Sequence, residues 1–152
     1  MHRRRIYVDT SVIGGCCDEE FAAESRALVE MAVRGEIILL LSDLLFQELE
    51  DAPAEVLAVV RGLPGDSYLP VSGTPESEDL RDCYMAAQIV GPSAEDDALH
   101  VAIATVSKAD LIVSWNFKHI VHVDKIRRFN AVNLVQGYQP VDVRSPREVV
   151  VE

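Results

Sequence analysis

"RRRIYVDTSV" runs from Arg3 to Val12, and its reading decides the fold. Ile6-Tyr7-Val8 has the β-branched and aromatic character of a strand, and Asp9-Thr10-Ser11 stops it. A buried strand that ends on a carboxylate has two readings. A structural turn needs nothing more than an Asp. A metal site needs that same Asp plus further acids delivered from distant parts of the chain.

Outward from this stretch, strand and helix patterns alternate, the signature of an α/β fold with a mostly parallel sheet. Arg5–Val8 is the first strand. Phe21–Arg34 reads as a helix closed by Gly35. Ile37–Leu41 is a continuous apolar run of strand length, as expected of a central strand covered on both faces. Leu44–Ala52 reads as a short helix behind Ser42 or Asp43 as its cap, and Pro53–Arg61 as another. Tyr68–Val71 is a short strand. Pro75–Val90 is a helix with Pro at a tolerated first position. Ser93-x-x-Asp96 opens the next helix in capping-box style, with Leu99, Ala102, Ile103 and Val106 as its apolar stripe. Leu111–Val113 is a strand ending at Ser114-Trp115-Asn116. A short helix around Ile120–Phe129 and one or two late strands, Val132–Val135 and Val141–Val143, complete the pattern.

The 152 residues fit one domain, 1–152, long enough to bury a core without covalent staples. The apolar runs are far shorter than the roughly 18 residues of a membrane span, and no signal-peptide pattern follows Arg3-Arg4-Arg5. A cytoplasmic protein without a membrane partner is the expectation. The three cysteines are odd in number, with Cys16 and Cys17 adjacent and no CxxC, so free thiols are expected rather than a zinc site or a bridge.

The net charge of −11 is unfavourable for holding a polyanion, but it is unevenly spread. Asp18–Asp97 carries 19 acids and 4 bases, the remainder 6 acids and 10 bases, so the two ends are mildly basic. Arg3-Arg4-Arg5 and the group Lys118, Lys125, Arg127 and Arg128 are the candidates for phosphate contact; a solvated surface explains any one of them equally well.

In an open parallel sheet, ligands bind outside the carboxyl ends of the strands. Asp9 follows the first strand, Glu48 lies on the helix after Ile37–Leu41, and Asn116 follows Leu111–Val113. Asp97 lies in the first turn of the capped helix. On a helical wheel Glu48 falls within the apolar arc of Leu44, Leu45, Leu49 and Ala52, so it has either a polar partner or a metal. Asp97 serves either the helix dipole or, beside Glu95 and Asp96, a cation. Hard divalent ions such as Mg2+ or Mn2+ prefer carboxylate oxygens and bind through a few acids plus substrate phosphate. His100, one turn beyond Asp97, either packs or touches the site. His119-x-x-His122 has metal spacing without supporting ligands.

"YVDTSV", "LLFQELED", "DDALHVAIA" and "LIVSWNFKHI", in this order and at these separations, resemble the PIN-domain family, and in particular its small prokaryotic single-domain members of the VapC-toxin type. The match runs from Ile6 to about Val135. The resemblance implies a three-layer α/β/α sandwich with a mainly parallel central sheet. It implies a Mg2+- or Mn2+-dependent ribonuclease, often a homodimer, held inactive by a small antitoxin. Asp9, Glu48 and Asp97 match the family's metal-binding acids, with Asp96 the alternative to the third; Thr10 or Ser11 matches the small hydroxyl after the first. Asn116 stands where many members carry a fourth acid, so it brings a carbonyl oxygen to the catalytic set but no charge. On this reading Thr10, Ser11, Arg3, Arg4 and Lys118 contact the RNA. The competing reading is a PIN fold with a lapsed site, acting as a protein-interaction or RNA-binding module.

Overall fold

Along the first strand, Tyr7 faces one layer of helices while Ile6 and Val8 face the other. This alternation organises the computed structural model, which describes residues 2–150. Five strands, β1 (Arg4–Val8), β2 (Ile37–Ser42), β3 (Tyr68–Val71), β4 (Leu111–Val113) and β5 (Val143–Arg144), form one sheet in the order β3-β2-β1-β4-β5. Every pairing is parallel, with Tyr7 opposite Leu40 on one side and Ile112 on the other. Parallel neighbours need crossovers, and the crossovers put helices on both faces. β2 is buried along its whole length, which explains its unbroken apolar sequence.

The helices are α1 (Thr10–Gly15), α2 (Ala22–Val33), α3 (Asp43–Glu48), α4 (Ala54–Arg61), α5 (Pro75–Ala86), α6 (Glu95–Val106), α7 (Val123–Val135) and α8 (Pro146–Val149). One core joins Tyr7, Leu40 and Ile112 to Leu80 and Tyr84 of α5, the buried side of α6, and Phe129 of α7. The other joins Ile6, Val8, Leu39, Leu41 and Val113 to α1, Leu28 of α2 and Val56 of α4. The three-layer α/β/α, PIN-like sandwich expected from the sequence is therefore the observed architecture. Helix α3 straddles the two layers: Leu44 packs in the first core, Leu45 and Leu49 in the second. It thus lies across the carboxyl edge of the sheet. The helix-bearing face changes between β1 and β4, so their carboxyl ends flank the topological switch point, where such sheets bind ligands.

Local chemistry sets several boundaries. Ser42 Oγ accepts the Leu45 N–H at 3.1 Å and caps α3. Thr74 and Ser77 form a capping box around Pro75 at the start of α5. Gly35, at φ 80°, ends α2 in a conformation that favours glycine.

Other expectations need correction. Ser93 does not cap α6: Gly91-Pro92 starts a 3-10 turn over Pro92–Ala94, and the α-helix begins only at Glu95. Val132–Val135 is the end of α7 rather than a strand, with Leu134 and Val135 exposed. α3 and α5 are shorter than expected, stopping at Glu48 and Ala86, and α7 starts and ends later. α1 follows β1 after Asp9 alone and was not foreseen. The cysteines are free thiols as expected; burial pushes the Cys16 thiol up to about 11. Among the described residues, no helix is long and apolar enough to cross a membrane.

Candidate active site

Asp9 follows the last residue of β1 with extended backbone (φ −90°, ψ 178°), so its side chain leaves the sheet edge rather than continuing the strand. Its carboxylate is almost fully enclosed, at 4% exposure, and both oxygens accept hydroxyl protons. Ser11 Oγ donates to Oδ1 at 2.5 Å, and Ser114 Oγ, just past β4, donates to Oδ2 at 2.6 Å. The serine oxygens themselves accept backbone N–H groups, Ser11 from Trp115 and Ser114 from Asn116, each at 2.9 Å. Each hydroxyl proton is therefore left to Asp9. The result is a carboxylate cradle across the switch point.

The electrostatics of Asp9 are opposed. Burial raises its pKa above the ordinary carboxylate value, and the charge of Asp97 adds to that; His100 and the two serine hydroxyls act against it. Asp97 is partly buried in the first turn of α6 and makes no hydrogen bond or ion pair within the described residues. Two carboxylates near enough to repel, one of them buried, favour positive charge between them, and among the described residues His100 is the basic side chain that most offsets the strain on Asp9.

Glu48 ends α3 at the rim of this region, its side chain 29% exposed. Its Oε1 accepts from Thr10 Oγ1 and lies 2.7 Å from His100 Nε2. Burial alone would raise its pKa, but the His100 bond and charge, with the Thr10 hydroxyl, hold it below the usual range. His100, 2% exposed on α6, also contacts Tyr7 Oη through Nδ1 at 2.6 Å. Burial and the nearby acids hold the Tyr7 phenol far above its ordinary value, hence neutral. Of the two sequence readings of Glu48, the structure supplies a partnered acid whose Oε2 carries no partner among the described residues.

Asn116 lies beside Ser114, but its Oδ1 accepts the His119 N–H at 2.9 Å and so shapes the turn after β4. Lys118 is exposed on that turn. Arg3 and Arg4 are elsewhere: they stand at the amino end of β1, roughly 16 Å of strand from Asp9 at about 3.3 Å per residue, and Arg3 donates to the Asp66 carbonyl at 3.0 Å. The structure does not bring them to the cleft. Lys125 and Arg128 donate to carbonyls of Ile89, Ala87 and Gln88, tying α7 to the end of α5. The residues missed from sequence are Ser114 and Tyr7. No local pattern marks Ser114, whereas a tyrosine inside a central strand does signal a buried hydroxyl in need of a partner.

A platform of packed aromatics supports this end. Trp115 donates to Ser25 Oγ at 2.7 Å and stacks on Phe21, with the Arg147 guanidinium over its ring. A cavity of about 550 Å³ lies among α1, α2 and α4, lined by Cys16, Val29, Val59 and Leu63, and includes none of these site residues.

Among the described residues, no three His, Cys, Asp or Glu side chains close into a ready metal cage. The donor chemistry at the switch point nonetheless fits a hard cation: Asp9 and Asp97 repel each other, and Glu48 keeps a free oxygen. Mg2+ characteristically binds through a few carboxylates and completes its shell with water and substrate oxygens.

No protein-family model and no curated protein matches the chain. Solved structures do. A chain of VapBC2 from Rickettsia felis, crystallised with a DNA fragment from their promoter, superposes with a TM-score of 0.60 at 10% identity, over 93% of this chain and 98% of that one. A chain of DNA-bound VapBC from Salmonella typhimurium gives a TM-score of 0.58 at 14% identity, over 94% and 98%. At such identities the likeness is one of fold, and it extends over nearly the whole chain.

Proposed function

We propose that the chain is a Mg2+- or Mn2+-dependent endoribonuclease of the VapC type, hydrolysing phosphodiester bonds of RNA. The observation that carries this reading is the buried Asp9, whose two oxygens accept from serine hydroxyls and which lies within the repulsive field of Asp97. A merely structural turn would not require a desolvated acid within the field of another acid. Asp9, Glu48 and Asp97 would hold the ion. When bound, it supplies an acidified water and positive charge for the scissile phosphate.

The chain's own residues have distinct tasks in this proposal. Ser11 and Ser114 orient Asp9 and favour its charged form. Thr10 holds Glu48 from the site side. Asn116, with Oδ1 engaged by the His119 N–H, would offer a substrate oxygen only its amide nitrogen. Lys118 attracts the RNA phosphates. A small antitoxin as inhibitory partner is supported by the fold's likeness to chains of VapBC complexes; Val123, Leu134 and Val135 are exposed apolar side chains at the two ends of α7 that a homodimer would cover.

A second reading, a lapsed PIN fold acting by binding alone, is favoured by the uncharged Asn116 and the open arrangement of the acids. An RNA-cleavage assay with Mg2+ or Mn2+ separates the two. The nuclease reading expects metal-dependent cleavage abolished by Asp9→Asn; equal activity in that variant refutes it.

A further inference from the structure

Tyr7 lies at the centre of the sheet with no exposed surface, yet its hydroxyl is the middle of a polar line. Tyr7 Oη is 3.0 Å from Ser42 Oγ and 2.6 Å from His100 Nδ1. His100 Nε2 is 2.7 Å from Glu48 Oε1. Ser42 Oγ accepts the Leu45 N–H. The line therefore begins and ends on α3: Ser42 caps its first turn, and Glu48 is its last residue. Six residues do not make a helix that holds its own shape. Here the first turn and the terminal carboxylate are both referred to one phenol fixed in the core.

The arrangement is more than packing requires. Apolar side chains of similar volume at positions 7 and 100 would fill the space without desolvating polar groups. With both ring nitrogens engaged, the His100 imidazole cannot turn without losing a bond at one end. Both hydrogen bonds to Glu48 fall on Oε1, so among the described residues Oε2 is left without a partner.

We propose that Tyr7 and His100 are positioning residues for Glu48, gripping Oε1 from inside the core so that α3 presents Oε2 to a divalent cation. This rests on the metal-dependent reading above. Outer partners of metal-binding carboxylates commonly contribute about 10- to 100-fold in metal affinity.

The test is calorimetric titration of the RNA-free protein with Mn2+, with melting curves to check folding. Tyr7→Phe, which keeps the ring, is expected to weaken Mn2+ binding about tenfold, and His100→Leu about 100-fold. His100→Gln, which retains a donor near Nε2, is expected to recover to within about threefold of wild type. In parallel cleavage assays kcat falls while KM for RNA stays put. Wild-type affinity in Tyr7→Phe and His100→Leu overturns the inference and leaves the metal reading intact; so does His100→Gln binding no better than His100→Leu. A wild-type protein that binds no Mn2+ overturns the metal reading itself, and this inference with it. Should His100→Leu fail to fold, Tyr7→Phe decides.

Discussion

Ser114 Oγ donates to Asp9 Oδ2 at 2.6 Å, joining the carboxyl ends of β1 and β4 across 105 positions of sequence. The same oxygen accepts the Asn116 N–H, so one serine sets both the acid and the turn behind it. Ser114→Ala removes a donor that favours ionised Asp9 and leaves a backbone N–H without its acceptor. The expected result is a cleavage rate reduced about 10-fold or more, with a stability loss of about 1–2 kcal/mol. Cleavage kinetics and chemical denaturation read the two effects separately.

Asp9 and Glu48 contribute to stability with opposite signs. The folded-state pKa of Asp9 is raised, so its ionised form costs stability: the cost is absent below the unfolded value, develops as pH rises, and is complete above the folded value. In EDTA, Asp9→Asn is expected to be more stable than wild type at neutral pH by about 1–3 kcal/mol, or roughly 3–10 °C in Tm, with the gap closing in acid. The folded-state pKa of Glu48 is depressed, so its contribution is present above the unfolded value and lost as pH falls through the folded one. Glu48→Gln is therefore expected to be less stable at neutral pH by about 1 kcal/mol, again converging in acid. Melting curves from pH 3 to 8 check both.

Gly15 is needed for contact rather than conformation. A Cβ there would meet Ser25 Oγ at 2.5 Å and Trp115 Nε1 at 2.9 Å. Gly15→Ala improves helix propensity yet is expected to destabilise by about 1–3 kcal/mol through overpacking, with a shift in the fluorescence of Trp115. A melting temperature at or above wild type would contradict the packing described.

Position in the sheet separates the cations. Lys118 is exposed on the turn after β4, whereas Arg4 starts β1 at the opposite end. Lys118→Ala is expected to raise KM for RNA about threefold and to reduce the salt slope of binding by about one. Arg4→Ala is expected to change neither.

The sequence and the structure agree where one physical signal dominates. Ile37–Leu41 is apolar without interruption because both its faces are covered, and it reads as a central strand. Asp9 reads as a strand-end acid because three apolar residues lead straight into it. Val132–Val135 misleads because β-branched residues suggest a strand, while Leu134 and Val135 in fact sit exposed at a helix end. Ser93 misleads because the neighbouring Gly91-Pro92 makes a turn of its own. Ser114 has no local signature at all: its role exists only because β4 lies beside β1. Arg3 and Arg4 illustrate the same limit, since charge is legible in a sequence and the end of the sheet it occupies is not.

In the proposed nuclease, carboxylates remote in sequence share one cation at the β1/β4 switch point. Crystals soaked in Mn2+ and measured for anomalous scattering test it most directly. The expected result is one strong peak within coordination distance of Asp9 and Asp97, with Glu48 Oε2 turned toward it. No peak, or a peak elsewhere with Asp9 held by Ser11 and Ser114 alone, would contradict it.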